Sequence, residues 1–293
     1  MRIIKTCLTA LAALSLAAHA VTVKDEKGDF TLDKTPERIV ALEFSFVDAL
    51  ANAGVAPVGV ADDNDAKRLL PQIREQIGEY TSVGTRSQPN METIASLKPD
   101  LIIADKDRHT AAYDELGKIA PVLLLNSRHG TYADILVQAQ TIGEVVGKGD
   151  KMKAKIDALD KEIAEIKANL PQGQKAFVGS SREDGFDIHS KQSYSGALLE
   201  HLGFDVPDAP GNKPIYDAGL EQVLAIDPDW IFVAHYREES MVKKWEKEAL
   251  WPALKAAKAG QVVSIDPNLW SRARGLYAAR AMAEQIRDAA AQK

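Results

Sequence analysis

The sequence has almost no cysteine and no long apolar run after its first twenty residues. Its single cysteine, Cys7, lies within those twenty residues. A mature chain without this segment has no thiol, which excludes disulfides, a cysteine nucleophile and a cysteine metal site. No later apolar run reaches the roughly 20 residues that a membrane-spanning helix requires, so we expect a soluble mature chain.

The sequence motifs of common enzymes are also missing. There is no G-x-S-x-G elbow and no Walker lysine loop, and Gly147-Lys148-Gly149 lacks the third glycine of a G-x-G-x-x-G turn. We therefore predict a protein that is not an enzyme. A secreted hydrolase that assembles a serine site from distant residues, such as Ser180 with His235, is the alternative from another functional class.

Basic residues are fewer than acidic ones. Without Arg2 and Lys5 of the first segment, the 36 basic residues become 34 against 42 acidic residues, so the mature chain has a net charge of −8. A negative chain repels the phosphate backbone, which argues against nucleic acid as a partner.

The first twenty residues have the pattern of a cleavable secretory signal. Arg2 and Lys5 precede an apolar run from Leu8 to Ala18, and the small-residue ending Ala18-His19-Ala20 follows the run directly. This ending disfavours a signal anchor that stays attached. We predict a signal peptide over residues 1–20 and a mature start near Val21.

Short β-branched or leucine-rich runs recur along the chain, and each is followed by a polar loop and a helical pattern. This alternation predicts parallel strands with crossover helices, arranged as two α/β lobes with Rossmann-like sheets. The predicted strands are Arg38–Leu42, Val58–Ala61, Leu101–Ala104, Val122–Leu125, Lys175–Gly179, Trp230–Ala234 and Val262–Ile265.

An internal repeat supports the two-lobe interpretation. The twelve residues from Glu92 match those from Glu221 position by position, and each copy reads as a short helix, a Pro-Asp turn and a buried strand. Glu92 and Glu221 both open the predicted helix, where a carboxylate suits the positive end of the helix dipole. Helix stabilisation is the simplest explanation for these two glutamates.

A long amphipathic helix is predicted between the two halves, over residues 148–170. Its apolar residues are spaced by three or four, and Pro171-Gln172-Gly173 ends it. An ordinary surface helix is the alternative, but the mid-chain position favours an inter-lobe strut. The predicted lobes are then residues 21–147 and 171–293.

Arginines follow the predicted strands in both halves. In open parallel sheets ligands bind beyond the carboxyl ends of the strands, so these arginines are expected at one edge, where they bind an anion. Arginine also grips carboxylates bidentately and stays charged. Each arginine alone is typical of a solvated loop, but the recurrence predicts a polyanion site. The candidates are Arg86, Arg108, Arg128, Arg182, Arg237, Arg272 and Arg274.

Other side chains near these loops are also candidates for the site. Glu43 follows the first strand, and its carboxylate is suited to orienting an arginine or accepting a ligand hydroxyl group. Trp270 and Tyr216 are candidates for covering less polar faces of a ligand, together with Tyr236 and Phe46. Core packing is an equally good interpretation of Trp270 and Phe46.

Histidines share the same loops. His109 and His129 each stand beside an arginine, His235 precedes Arg237, and His189 follows a strand-like segment. Direct metal ligation is one interpretation, but a bare cation would meet several fixed positive charges. We favour histidines that form hydrogen bonds around a metal already held in a chelate, and we predict no metal ligated by the protein and no cofactor.

The repeated E-x-x-x-x-[LI]-x-P-D segments, the mid-chain helix and the secretory start resemble the periplasmic binding proteins for siderophores, haem and cobalamin. Longer segments resemble the ferric dicitrate-binding members, and the likeness runs through essentially the whole mature chain. These segments are residues 42–50, 59–68, 83–89, 97–105, 120–128 and 233–240.

The resemblance implies two Rossmann-like lobes joined by one long helix, in a periplasmic protein that serves an ATP-driven importer. It implies that ferric citrate, as an anionic iron chelate, is bound in the cleft and delivered to a membrane permease. In such families one glutamate on each lobe engages the permease, and Glu92 and Glu221 stand at the matching positions. We expect a monomer; another anionic siderophore or haem is the alternative ligand.

Overall fold

The computed structural model describes residues 20–292, so the predicted signal peptide lies outside the described residues except for Ala20. The fold is built on two five-stranded sheets and one short hairpin. The strands are β1 Val21–Asp25, β2 Gly28–Leu32, β3 Ile39–Ala41, β4 Gly59–Val60, β5 Thr81–Ser82, β6 Leu101–Asp105, β7 Val122–Leu125, β8 Ala176–Ser181, β9 Phe186–His189, β10 Ile215–Asp217, β11 Trp230–His235 and β12 Val262–Ile265.

Helices connect the strands and cover the sheets. They are α1 Phe44–Ala53, α2 Pro71–Ile77, α3 Met91–Ser96, α4 Lys106–His109, α5 Tyr113–Gly117, α6 Tyr132–Val145, α7 Gly149–Lys167, α8 Tyr194–His201, α9 Leu220–Ile226, α10 Met241–Trp245, α11 Lys255–Lys258, α12 Pro267–Arg272 and α13 Leu276–Ala291. Within residues 20–292, none of these helices combines the length and apolar character needed to cross a membrane.

The first sheet is parallel throughout, in the order β5-β4-β3-β6-β7. Successive side chains of a strand point to opposite faces. In β6, Ile102 packs into a cluster on one face, whereas Leu101 and Ile103 join the large cluster on the other. Because both faces are covered, β3, β6 and β7 are continuous apolar runs, which is why they could be predicted from the sequence; the polar, exposed edge strand β5 has no such run and was not predicted.

The second sheet has the order β10-β9-β8-β11-β12, and only β8, β11 and β12 are parallel. Strand β9 pairs antiparallel with both of its neighbours, β8 and β10, which the sequence analysis did not predict. Only four residues, Arg182–Gly185, connect β8 to β9. A parallel crossover needs a dozen or more residues, so this short connection imposes a hairpin.

The internal repeat has the predicted helix, turn and strand in both lobes. Asp100 and Asp229, the aspartates of the two Pro-Asp turns, have the same role. The Asp100 carboxylate accepts hydrogen bonds from the backbone N–H groups of Glu37 and Arg38 at 2.8–3.1 Å, just before β3. Asp229 accepts one from Lys175, just before β8, at 2.8 Å. Each turn therefore fixes the start of a neighbouring central strand.

Helix α7 occupies the predicted position between the two sheets. Met152, Leu159, Ile163 and Ile166 are buried on one face, and Ile156 is partly buried. The last helix, α13, packs along α7 and also contacts α1 of the first half. Residues beyond 275 therefore contribute to the core of both halves, whereas the sequence pattern predicts all of 171–293 as the second lobe.

One apolar core runs through both lobes. It includes Leu101 and Ile103 of the first sheet, Val178 and Phe232 of the second, and Met282 of α13. A separate cluster covers the outer face of each sheet. The loops that follow the carboxyl ends of the parallel strands lie beyond this core, and several of them line a cavity.

Candidate ligand-binding cleft

Glu43 is the centre of a charged cluster on the first lobe. It lies two residues after the end of β3 and is 1% exposed. Its Oε2 lies 3.4 Å from Nη1 of Arg86, and its Oε1 contacts Nε of Arg108. Burial raises the pKa of the Glu43 carboxyl, and the positive charges of Arg86 and Arg108 oppose that rise. Arg86 and Arg108, two of the predicted arginines, thus share one buried carboxylate. This is the arrangement expected of a glutamate that orients arginines.

Arg86 is held from several sides. Its Nη2 lies 2.8 Å from Oδ2 of Asp63, and its guanidinium group lies over the ring of Phe44, 4.0 Å from the centroid. Burial raises the pKa of Asp63, but hydrogen bonds from Arg86 and Arg68 outweigh this effect and lower the pKa to about 2. A guanidinium group fixed in this way loses little freedom when it binds a ligand.

Arg274 brings the second lobe to the same cluster. Its Nη2 donates a hydrogen bond to the backbone carbonyl of Arg128 at 3.2 Å, and its Nη1 donates to the carbonyl of Arg272 at 3.3 Å. Burial lowers the pKa of Arg274, and the negative charge of Glu43 opposes that effect. We call Glu43, Arg86, Arg108 and Arg274 the deep group.

A second set of arginines lines a cavity of about 570 Å³ between the lobes. The guanidinium groups of Arg182 and Arg272 lie over the ring of Tyr236, 5.4 and 5.2 Å from its centroid. Arg237 lines the same cavity, and Arg68 approaches it from the first lobe. We call Arg68, Arg182, Arg237 and Arg272 the outer group.

Among the residues that line the cavity, positive charges outnumber negative ones. Its four arginines share the cavity wall with two carboxylates, Glu183 and Asp184. Arg182 also forms an ion pair with Asp187 but is half exposed. The guanidinium group of arginine is a permanent cation and presents several N–H donors. The cavity therefore suits an anion with several carboxylate oxygens.

Arg68 is a cleft residue that the sequence analysis missed. It lies in a short 3-10 helix, Ala66–Arg68, in the loop after β4, and its Nη1 lies 2.9 Å from Oδ2 of Asp63. Its backbone carbonyl accepts a hydrogen bond from Nδ2 of Asn268 in the second lobe at 3.0 Å. Arg68 stands eight residues beyond the end of β4, and this position after a strand is the sequence signal that marks it.

The remaining predicted arginine, Arg128, takes part through its backbone. Its side chain is exposed, while its carbonyl accepts the hydrogen bond from Arg274. It also borders a small space, too small for a ligand, together with Arg274 and Trp270. Its side chain joins neither the deep nor the outer group.

The structure places Trp270 and Tyr216 mainly in packing roles. Trp270 is 2% exposed, and its ring stacks on that of Phe232 with the ring centroids 6.4 Å apart. Its indole N–H donates a hydrogen bond to Oε1 of Gln285 at 2.7 Å. Tyr216 lies on the edge strand β10 and packs against the apolar cluster of the second lobe. Tyr236, from the same sequence-based set, is the aromatic residue that borders the cavity.

The loop histidines are occupied by hydrogen bonds. His109 Nδ1 accepts from the backbone N–H of Asp105 at 2.9 Å, and its Nε2 lies 2.8 Å from the carbonyl of Arg86. His189 lies between Ser180 and Ser195, at 2.8 Å from each hydroxyl group. Among residues 20–292, no three His, Cys, Asp or Glu side chains are grouped as metal ligands.

The serine pair considered for a hydrolase is wrong. Ser180 bonds to His189, whereas His235 bonds to Ser240 at 2.7 Å. Ser180 is 2% exposed. The hydrogen-bonded series runs from Ser180 through His189 to the hydroxyl group of Ser195, so its third group is not a carboxylate. Burial lowers the pKa of His189 to about 4. Such a histidine is a weak base, so this arrangement does not activate a serine.

Glu92 and Glu221 lie away from the cleft cavity. Each occupies the first turn of a short helix, α3 or α9, and is exposed. Within the described part of the chain, neither carboxylate forms an ion pair. The two glutamates therefore stand free at equivalent positions on the two lobes.

Two lobes with strand-end loops facing a common cleft, joined by one long helix, define a solute-binding protein. The model of the periplasmic binding protein family matches residues 39–269, so the chain belongs to this family. It is a binding protein and not an enzyme.

Two curated relatives are similar over nearly the full chain. The Fe(3+) dicitrate-binding periplasmic protein FecB of Escherichia coli K12 is 51% identical over 266 residues, covering 91% of this chain and 89% of FecB. The Fe(3+)-citrate-binding protein YfmC of Bacillus subtilis 168 is 40% identical, covering 90% of this chain and 84% of YfmC.

Solved structures share the fold. Staphylococcus aureus SirA, solved with staphyloferrin B, superimposes with a TM-score of 0.80 at 24% identity and covers 92% of this chain and 98% of SirA. The iron uptake substrate-binding protein PiuA of Streptococcus pneumoniae has a TM-score of 0.79 at 26% identity, covering 94% of this chain and all of PiuA. The prediction of two lobes joined by a backbone helix is therefore confirmed.

Proposed function

We propose that this chain captures ferric dicitrate, an anionic Fe(III) chelate, in its cleft and delivers it to the permease of an ATP-driven importer. The observation that carries the proposal is the convergence of arginines from both lobes on one cleft, in a chain that is negatively charged overall. The relatives named for Fe(3+) dicitrate and Fe(3+)-citrate binding support this ligand.

Capture depends on complementary charge. Citrate carboxylates satisfy the ferric ion, and their outer oxygens carry the excess negative charge of the chelate. Arginines of the outer group, and Arg86, Arg108 and Arg274 of the deep group, donate charge-assisted hydrogen bonds to these oxygens, often in bidentate pairs. Iron is therefore cargo, and the protein supplies no ligand to it.

Delivery requires a second surface. Glu92 and Glu221 are exposed, free of ion pairs within residues 20–292, and equivalent in the two lobes. We assign them to docking with cationic side chains of the permease. Export to the periplasm by the signal peptide over residues 1–20 completes the proposal, since β1 begins at Val21, next to the predicted cleavage site.

The decisive experiment is calorimetric titration of the chain from Val21 with ferric citrate, with citrate alone and ferric ion alone as controls. Tight binding of the complex only is expected. Uptake of ferric ion without citrate would contradict capture of a preformed chelate. If ferric citrate does not bind, titration with other anionic siderophores and haem tests the alternative ligands.

A further inference from the structure

A buried carboxylate of the first lobe holds the start of the last helix. Asp48 of α1 is fully buried. Its Oδ1 accepts a hydrogen bond from the backbone N–H of Leu276 at 2.7 Å, and its Oδ2 accepts from those of Tyr277 at 3.1 Å and Ala278 at 3.4 Å. Helix N-termini have unpaired N–H groups, and Asp48 satisfies three of them in α13 from 228 or more residues away.

Gly275 is required for this close approach. It precedes α13 with φ of +127°, and a Cβ atom placed there would lie 2.2 Å from Cγ of Asp48. With no side chain of its own, Gly275 cannot cap the helix, so the cap comes from Asp48. The hydroxyl group of Tyr194 donates to the carbonyl of Gly275 at 2.6 Å and fixes the same point from the second lobe.

The residue before Gly275 is Arg274, the contribution of the second lobe to the deep group. Arg272, two residues earlier, belongs to the outer group. The position of the segment Arg272–Gly275 relative to the first lobe therefore decides two things. It decides whether Arg274 can donate to the Arg128 carbonyl, and whether its guanidinium group lies near the negative charge of Glu43. Asp48 is the first-lobe group that bonds to the chain just beyond it.

We propose that Asp48 is a positioning residue for Arg274: by capping α13 from the first lobe, it places the guanidinium group of Arg274 in the deep group for ligand binding. Asp48 does not contact the ligand, because it is completely buried beneath the cleft. This inference rests on the proposed capture of ferric citrate, and its test separates the two.

The test is a double-mutant cycle on ferric citrate affinity, measured by calorimetry for wild type, Asp48→Asn, Arg274→Ala and the double variant. Asp48→Asn keeps the size of the side chain but removes its charge and one acceptor. We expect it to weaken binding roughly fivefold to tenfold in the wild-type background and by less than about twofold in the Arg274→Ala background. Equal losses in both backgrounds would show that Asp48 acts independently of Arg274 and would overturn the inference.

Asp100→Asn is the matched control. Asp100 also accepts backbone N–H groups, but at the opposite end of the first sheet from the cleft. It is expected to reduce stability without changing ferric citrate affinity. A comparable loss of affinity in Asp100→Asn would mean that general destabilisation, and not positioning, explains the effect of Asp48→Asn.

Hydrogen exchange provides a readout that needs no ligand. The amides of Leu276, Tyr277 and Ala278 should exchange at least about tenfold faster in Asp48→Asn than in wild type, with no change in Asp100→Asn. Unchanged exchange of these amides in Asp48→Asn would contradict the inference, whether or not ferric citrate binds. Failure of ferric citrate to bind wild type would instead count against the proposed function. If Asp48→Asn does not fold, Tyr194→Phe replaces it in the same cycle, with a smaller loss that again requires Arg274.

Discussion

Arg274 of the second lobe donates a hydrogen bond to the backbone carbonyl of Arg128 in the first lobe, at 3.2 Å. The contact joins the segment between α12 and α13 to the loop after β7, so two segments that are distant in sequence meet at the cleft. The two arginines have unequal roles in it, because Arg274 uses its side chain and Arg128 uses its main chain.

This asymmetry predicts different effects of truncation. Arg274→Ala removes a charge from the deep group together with the inter-lobe hydrogen bond, whereas Arg128→Ala retains the carbonyl acceptor. We expect Arg274→Ala to weaken ferric citrate binding more than tenfold, at least about 1.4 kcal/mol, and Arg128→Ala to have the smaller effect. Calorimetric titration of both variants checks the order, and a larger loss in Arg128→Ala would reverse our assignment.

Substitutions in the outer group are also expected to lower the affinity for ferric citrate. Alanine at Arg182 or Arg237 removes a charged donor from the cavity wall, and each variant should weaken ferric citrate binding more than tenfold, at least about 1.4 kcal/mol. Arg287→Ala is the control, since Arg287 is an arginine of α13 that pairs with its neighbour Asp288. Wild-type affinity in both cavity variants would remove them from the site.

Glu43 predicts an effect on stability. Glu43→Ala leaves Arg86 and Arg108 without their shared carboxylate, and loss of one partner from a buried ion pair costs about 3 kcal/mol or more. Urea unfolding should show this decrease in the free energy of unfolding. Glu92→Ala, at an exposed glutamate, should change it by less than about 0.5 kcal/mol. Similar values for the two variants would mean that the Glu43 cluster contributes nothing net to the fold.

Burial of His189 predicts a pH dependence. Its pKa is lowered from 6.5 to about 4 in the folded state, so the unfolded chain binds more protons between these values. The stabilisation is complete above pH 6.5 and is lost as the pH falls to about 4, by about 3 kcal/mol. Burial raises the pKa of Asp48 to about 7, which has the opposite sign, so wild type must be compared with His189→Gln. The free energy of unfolding of both proteins is measured as a function of pH. If the difference between wild type and His189→Gln stays constant between pH 4 and 6.5, the assignment of this shift to His189 is wrong.

Glu92 and Glu221 separate docking from ligand capture. Charge reversal to lysine at both positions should abolish transport of ferric citrate in cells, because the permease would meet like charge. Calorimetric affinity should stay at the wild-type value, since neither residue lines the cavity. A loss of affinity in the purified double variant would place these glutamates in the cleft and end their assignment to docking.

The central strands of both sheets, and the arginines that follow them, could be predicted from the sequence because the signal is local, whereas the hairpin β1–β2 and the edge strands β5 and β10 were not predicted. Leu101–Ala104 is an uninterrupted apolar run, and Arg182 and Arg237 each come three residues after a predicted strand, Lys175–Gly179 or Trp230–Ala234. Alternation of strand and helix then implies that the strand ends share one edge. The amphipathic face of α7 is equally local, with its apolar residues at helical spacing.

Contacts between distant residues could not be predicted in the same way. The bond from Asp48 to Leu276 spans 228 residues and leaves no periodic pattern. Trp270 follows a strand as a cleft residue would, but the backbone direction of α12 turns its ring into the core. The antiparallel strand β9 was recognisable as a strand, while its direction depends on the length of the turn before it.

The return of α13 to the first lobe also has a consequence for how the protein folds. Met282 and Ile286 of α13 belong to the same apolar core as Leu101 and Ile103 of the first sheet. The core of the first lobe is therefore completed only after nearly the whole chain has been synthesised. Folding cannot finish lobe by lobe from the N-terminus, and we expect the two lobes to unfold in a single cooperative transition rather than in two steps.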